Sequence, residues 1–507
     1  MNLRPRVVAL AEEYPAVEAA LRRSAVSELS HSPNIVLIMV DQWRGDCLGS
    51  AGHPVVETPH LDALASQGVT FTQAYAACPS CIAARASLLT GLSPRHHGFV
   101  GYQDGVPWQY PVTLAGTLAE AGYHTQCVGK MHVYPWRNLL GFHNVVLHDG
   151  YLHAMRRECR DYGMADDYLP WLRERLGAAY ADYTDTGIGC NGYVVRPWIA
   201  EDALHPMSWV TTQSIDFLRR RDPSRPFFLM TSYHRPHPPF DPPQSYLDRY
   251  LHKLLPPLPM GDWVNHELPA SRGLDSPVPR DSAQVDLARR AYYAQITFLD
   301  HQINRLFMAL YEHGVLGNTA ILFTSDHGDM LYDHNHVAKA LPFDGSARVP
   351  FILAMPGGSG PCGTRVDAPV ELRDVLPTFC DLAGVQTPPH LDGASVLPLC
   401  RGEATAWREC VHGEHVMGDL SNHWLTDGRE KYAWFSQIGR EMLFDLTVDP
   451  QELHDLAAAR PDRLAFWRTR LIAELDGREE GFVQGGDLVA GRPQRPTLAH
   501  AGQGSRD

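Results

Sequence analysis

No run of about 18 or more apolar residues occurs anywhere in the sequence, which argues against a membrane-spanning helix. Excess positive charge is also missing. Lys and Arg number 44 against 58 Asp and Glu, and a net charge of −14 offers no basic face to nucleic-acid phosphates. Cysteine is sparse: ten residues spread over 507 do not make a disulfide framework. Cys78 and Cys81 form a Cys-x-x-Cys pair, but no second pair at zinc-site spacing accompanies it, and the small βαβ setting of a thioredoxin-type centre is not evident. Residues 1–32 mix acids and bases without the apolar stretch and cleavage site of a secretion signal. They read as surface helices, and the cytoplasm is the expected location. There is no internal repeat.

What remains is the composition of a globular enzyme, 44% hydrophobic and 20% charged. Four short apolar runs predict buried parallel strands: "NIVLIMV" (34–40), "HTQCVG" (124–129), "RPFFLMTS" (225–232) and "TAILFTS" (319–325). Helical patterns at 58–68, 113–122, 208–221 and 288–314 alternate with them, so the expected fold class is α/β, a large mostly parallel sheet covered by helices on both faces. The stretches 140–205 and 241–287 lack a clear period and read as insertions over one sheet edge. Beyond about residue 400 the pattern changes to short antiparallel strands and a helix near 459–475. The expected division is an N-terminal helical extension (1–30), a catalytic domain (31–400), a smaller α+β C-terminal subdomain (401–480) and a poorly ordered tail (481–507).

Each strand runs into polar residues: the first into Asp41-Gln42, the second towards Lys130 and His132, the third towards His234 and His237, the fourth into Asp326-His327. In open α/β sheets ligands bind beyond the carboxyl ends of the strands, so these groups are expected to converge. Asp41, Gln42 and Asp326 are hard oxygen donors suited to Ca²⁺, Mg²⁺ or Mn²⁺, and the imidazole of His327 favours Mn²⁺ somewhat. A divalent ion surrounded by Arg85, Lys130 and Lys339 calls for an anion, with a sulfate or phosphate ester the natural candidate. Cys81 opens a predicted helix, a position that stabilises anions and nucleophiles. The Cys–Arg loop of tyrosine phosphatases does not fit, because Cys81 and Arg85 enclose only three residues, and a thiolate suits a hard cation poorly. His334 and His336 are further candidates for substrate contact.

These residues resemble the sulfatase family of the alkaline-phosphatase superfamily, in which the cysteine of a Cys-x-(Pro/Ala)-x-Arg motif is oxidised to formylglycine. Here the motif reads Cys81-Ile82-Ala83-Ala84-Arg85 and continues "ASLLTG". The similarity extends through "NIVLIMVDQWRGDCLG", "TPHLDALASQGVTFTQAYA", "GYHTQCVGKMH", "FTSDHGDMLYDHNHVAKALPFDGSARVP" and "MLFDLTVDPQELHDLA", most of residues 34–457 in order. The resemblance implies an alkaline-phosphatase-like fold and a hydrated aldehyde at residue 81 that attacks sulfur and later collapses to release sulfate. It implies metal ligation by Asp41, Gln42, residue 81, Asp326 and His327, sulfate binding by Lys130 and Lys339, leaving-group protonation by His237, and assistance by Arg85 and His132 at residue 81. Ca²⁺ is the expected ion, with Mn²⁺ or Mg²⁺ as alternatives. The implied partners are a small sulfate ester and, during maturation, a formylglycine-generating enzyme; a homo-oligomer is left open. Three features depart from the commonest pattern: Ala83 in place of proline, the pairs Asp-Gln and Asp-His, and "SYHRPHPPF" (232–240). The last two resemble choline sulfatases or phosphonate monoester hydrolases. A phosphonate monoester or phosphodiester hydrolase is therefore the alternative enzyme, and an inactive anion-binding protein the alternative of another class.

Overall fold

The computed structural model describes residues 32–150, 162–177, 189–264, 281–403 and 406–503. The expected extension over 1–30 and parts of both insertions lie outside these residues. In chain order the strands among the described residues are β1 (Asn34–Asp41), β2 (Val69–Phe71), β3 (Ala74–Tyr75), β4 (His124–Gly129), β5 (Asn144–Leu147), β6 (Phe227–Pro236), β7 (Thr319–Ser325), β8 (Phe351–Ala354), β9 (Thr364–Val366), β10 (Val370–Glu371), β11 (Val411–His415), β12 (Asn422–Thr426), β13 (Glu430–Phe435), β14 (Arg440–Asp445), β15 (Val483–Gln484) and β16 (Asp487–Leu488). Eight of them form one sheet in the order β5-β4-β6-β1-β7-β8-β2-β9, in which β8 alone runs against the rest. The α/β architecture expected from the sequence is therefore present.

The continuous hydrophobicity of β1 has a direct structural counterpart. Val36, Ile38 and Val40 enter one core and Ile35, Leu37 and Met39 the core on the opposite face, so neither face meets water. Four helices matter for the site and its surroundings: α1 (Pro59–Gln67), α2 (Cys81–Thr90), α3 (Leu114–Glu120) and α4 (Ser282–Glu312). Thr58 does not cap α1 with its own side chain; Asp300 of α4 does so instead, accepting from His60 N at 3.2 Å and Leu61 N at 2.8 Å. Helix α2 ends at Gly91, whose φ of 72° supplies the left-handed cap. All ten residues of α2 are buried, which locks the residues at its start in place.

The C-terminal sheet β11-β12-β13-β14 is antiparallel and apolar on both faces. Trp424, Ala433, Met442 and Phe444 pack with Tyr75, Leu341 and Phe343 of the main body. Leu425, Tyr432, Trp434 and Leu443 face the opposite way onto Trp467, Leu471 and Leu475 of helix α5 (Pro461–Leu475). Residues 481–503, expected to be loose, instead cross back over the main body. Val100 N donates to Pro496 O at 2.9 Å, Leu498 N to Gly98 O at 2.8 Å and Gln109 N to Gly502 O at 2.6 Å. Their Gly- and Pro-rich composition conceals backbone pairing with residues some four hundred positions away. No described helix is long and apolar enough to cross a membrane.

A buried ion group fastens the C-terminal sheet to the main body. Lys431, fully buried, reaches Asp344 at 2.5 Å and Glu452 at 2.8 Å, and Glu452 also accepts from Asp344 N at 2.8 Å. Removing the ammonium would leave the buried Glu452 without its cation and Asp344 with Arg348 alone, 2.8 Å away. Lys431→Met is expected to lower the unfolding free energy by about 3–5 kcal/mol, measured by urea denaturation, and an unchanged midpoint would show that the group is dispensable.

Candidate active site

The carboxyl edge of the sheet gathers the site. Strand β1 ends at Asp41, where a register shift against β6 sets Asp41 opposite Pro236 and lets His237 N donate to Asp41 O at 3.2 Å. Gln42 follows in a left-handed conformation (φ 70°), its backbone N–H held by Asp326 Oδ1 at 3.1 Å. Asp326 and His327 leave β7 directly alongside. Strand β4 ends at Gly129 (φ 97°), where any Cβ would lie 1.9 Å from Ser232 O; only glycine lets Lys130 follow that close to β6. Asp149 then accepts from both Met131 N (2.6 Å) and His132 N (3.1 Å), which holds His132 at a φ of 58°.

Cys81 sits at the first turn of α2, buried among these groups. Its Sγ lies 3.2 Å from His327 Nε2, 3.6 Å from Asp41 Oδ1 and 3.5 Å from Lys339 Nζ. The sulfur marks where an oxygen of the modified residue would stand. Arg85, one turn further, is fully buried and donates to Asp326 Oδ2 (3.0 Å), Lys130 O (2.7 Å) and Ser232 Oγ (3.0 Å). Lys130 pairs with Asp41, and Lys339 donates to Gln42 Oε1 at 2.9 Å.

Charge governs this cluster. Burial together with the neighbouring Asp41 pushes Asp326 up to about 6, whereas Asp41, although burial works to raise it, is drawn well below the usual range by Lys130, His237 and Lys339. Burial and Asp41 also work to raise the Cys81 thiol, but Lys130, Lys339 and His327 outweigh them and hold it well below its ordinary value. Donor atoms of Asp41, Cys81, Asp326 and His327 all lie within 4.8 Å of one another. Two buried carboxylates facing each other favour a cation between them. His327 Nδ1 faces Gly328 O at 2.8 Å, which leaves Nε2 as the inward lone pair, and Gln42 turns its Oε1 to the same side. These groups fit a divalent cation with hard oxygen donors.

His237 faces Lys339 with one ring nitrogen only. Its Nδ1 faces Pro238 O at 2.7 Å and must carry the ring proton, so Nε2 accepts from Lys339 Nζ at 3.1 Å. Burial and Lys339 push the ring down to about 3, so in this state the ammonium, not the imidazole, holds the proton. His132 is the opposite case. Burial and Lys130 work to lower it, yet its contacts with Asp104 (3.3 Å) and Cys81 carry it above the ordinary value.

The structure brings together Asp41, Gln42, Cys81, Arg85, Lys130, His132, His237, Asp326, His327 and Lys339, ten of the residues singled out in the sequence. It does not bring His334 among them; that ring accepts from Gly261 N at 3.2 Å and packs on Trp263. Three residues escaped the sequence reading. Asp329 accepts from Gln42 Nε2 at 2.7 Å and from the Tyr193 hydroxyl at 2.6 Å, so these two orient the Gln42 amide. Asp104 orients His132. Asp329 lies three residues after Asp326, a visible signal; Tyr193 and Asp104 lie in irregular stretches with none.

The sequence profile of the sulfatase family matches residues 33–385, and that of the N-sulphoglucosamine sulphohydrolase C-terminal region matches residues 332–466. An arylsulfatase of Clostridium perfringens is 50% identical over 479 residues, covering 92% of this chain and 99% of that protein. A choline-sulfatase of Rhizobium meliloti is 30% identical, covering 84% and 82%. The crystal structure of a phosphonate monoester hydrolase of Agrobacterium radiobacter superposes with a TM-score of 0.74 at 28% identity, covering 87% and 95%.

The grip of Asp329 on Gln42 is open to test. Asp329→Asn is expected to weaken Ca²⁺ or Mn²⁺ binding about 10- to 100-fold by calorimetric titration, and unaltered affinity would show that Gln42 needs no such support.

Proposed function

Because the chain belongs to the sulfatase family, we propose that its hydrolysis of sulfate esters proceeds at Cys81, converted to formylglycine, beside a divalent cation held by Asp41, Gln42, residue 81, Asp326 and His327. The observation that carries this reading is the position of Cys81 Sγ, at a helix start and within reach of His327, Asp41 and Lys339 at once. When bound, the cation supplies Lewis-acid polarisation of the ester, and formylglycine supplies an oxygen nucleophile that each turnover regenerates. Ca²⁺ is our expected ion, with Mn²⁺ or Mg²⁺ as alternatives.

The remaining work falls to side chains in the structure. Arg85, tied down by three acceptors, fixes Asp326 and lends positive charge to the turn that begins at residue 81. Lys130 and Lys339 flank Cys81 as ammonium groups and stabilise the charge that grows on the sulfate oxygens. Lys339 donates to His237 Nε2 at 3.1 Å; an entering anion that takes up the Lys339 ammonium frees Nε2 to accept a proton from water and give it to the leaving alcohol. His132, whose proton Asp104 favours, lies at residue 81 and serves regeneration of the nucleophile. We assign the alcohol to the aryl or carbohydrate class, the catalytic domain to residues 31–400 and the C-terminal subdomain to 401–480. A formylglycine-generating enzyme is the implied maturation partner. The structural likeness to a phosphonate monoester hydrolase, together with the Asp-Gln and Asp-His pairs, supports a second activity on phosphonate monoesters at the same site.

Mass spectrometry of the tryptic peptide ending at Arg85, from protein made beside a formylglycine-generating enzyme, is expected to give the aldehyde mass at residue 81. Turnover of 4-nitrophenyl sulfate is expected to fall to background in Cys81→Ala and after chelation, and to return with Ca²⁺ or Mn²⁺. An unmodified thiol in an active enzyme would overturn the assignment of the nucleophile.

A further inference from the structure

Lys339 occupies an unusual stretch of backbone. Ala338 and Ala340 on either side of it have φ of 62° and 79°, a left-handed region that alanine disfavours. Such a conformation persists only where its surroundings impose it. Ala338 N is held by Tyr193 Oη at 2.7 Å and Asp329 Oδ1 at 3.1 Å, and Ala338 O accepts from Met330 N at 2.7 Å. Ala340 N donates to Pro79 O at 3.0 Å, two residues before Cys81. The remaining clamp comes from the other sheet: Asn422 Nδ2 donates to Ala340 O at 2.9 Å.

Asn422 is the first residue of β12 and 1% exposed. Its amide orientation follows from its partners, since Nδ2 also meets Leu420 O at 2.9 Å and both partners are acceptors. The strand register pairs Asn422 with His415 of β11 and Phe435 of β13, so neighbouring strands fix its position. His415 itself is buried and feels the charges of His327 and Lys339, which sets this end of the sheet against the site. The C-terminal sheet therefore touches the segment that carries an active-site ammonium.

We propose that Asn422 is a positioning residue for Lys339: by holding the Ala340 carbonyl, it keeps the strained 338–340 backbone in place and the ammonium directed at residue 81. The C-terminal subdomain is then a working part of the sulfate site, and the inference rests on the reading of Lys339 as a sulfate-binding group. From Asn422 the hydrogen bonds lead to Ala340, which adjoins Lys339 and also meets Pro79 O, two residues before Cys81. If Asn422 acts by positioning Lys339, its removal should matter only while Lys339 is present, whereas an effect carried through Pro79 would persist without Lys339.

The test is a double-mutant cycle on the full-length, metal-loaded, modified enzyme, comparing wild type, Asn422→Leu, Lys339→Ala and the double variant. Two readouts are taken, turnover of 4-nitrophenyl sulfate and calorimetric binding of inorganic sulfate. Asn422→Leu is expected to lower kcat/KM and sulfate affinity roughly 10-fold, in keeping with the loss of one supporting contact to a binding residue. In the Lys339→Ala background the same change should have no further effect. Hydrogen exchange in a peptide spanning 337–341 should speed up in Asn422→Leu, and Asn422→Asp, which keeps the shape but lacks the donor, should behave alike if the leucine variant folds poorly. Additive losses, or an unaltered Asn422→Leu enzyme, would overturn the proposal. Sulfate binding without turnover would remove the hydrolase reading and leave the cycle in binding to decide on Asn422; neither binding nor turnover in wild type would remove both.

Discussion

Two carboxylates, Asp41 and Asp326, are brought face to face without water at the carboxyl edge of the sheet, and most of the site is arranged to compensate them. Asp41 is drawn down by Lys130, His237 and Lys339, while burial and Asp41 together hold Asp326 up near 6 even with Arg85 upon it. Like charges this close in a dry setting favour a cation. In the mechanism proposed above, Lys130 and Lys339, which compensate the carboxylates, also meet the incoming anion, so metal and sulfate ester would be bound by one electrostatic arrangement.

That arrangement needs rigid supports, and they come from every layer of the fold. The bulge where β1 meets β6 brings His237 to Asp41. Gly129 permits the close approach that delivers Lys130, and the wholly buried α2 fixes Cys81 and Arg85 relative to one another. Lys339 depends on groups far apart in the chain, with Tyr193 and Asp329 on one side, Pro79 and Asn422 on the other. The antiparallel sheet after residue 411 thus adjoins the site directly, and the buried Lys431 group ties it to Asp344, only five residues beyond Lys339.

Much of this was legible before the structure. The four apolar runs became β1, β4, β6 and β7 with boundaries shifted by a few residues, because strands buried on both faces leave an unbroken hydrophobic signature. The small strands β2 and β9 were less visible, since strands of three residues carry too little pattern. Within the site, residues directly following strands could be read from position alone. Tyr193, Asp104 and Asn422 could not, because each acts through a partner remote in sequence. Nor could the sequence show which ring nitrogen of His237 carries its proton, since its Nδ1 is committed to Pro238 O and its Nε2 faces the Lys339 ammonium. The tail failed in the other direction, its composition suggesting looseness where backbone pairing holds residues 481–503 in place.

By itself the sequence determined the α/β class and the sheet edge at which polar side chains gather, which follow from hydrophobic period and the residues just beyond each strand; the roles expected of Cys81, Arg85, His132, His237 and Lys339 came from the resemblance of its motifs to the sulfatase family. Only the tertiary structure decided which charges oppose which, where each ring proton lies, and that the second sheet grips the segment carrying Lys339. Those properties depend on distances of a few ångströms between residues as much as 297 positions apart, as for Gln42 and Lys339, and electrostatics and hydrogen bonding respond to separation in space rather than along the chain.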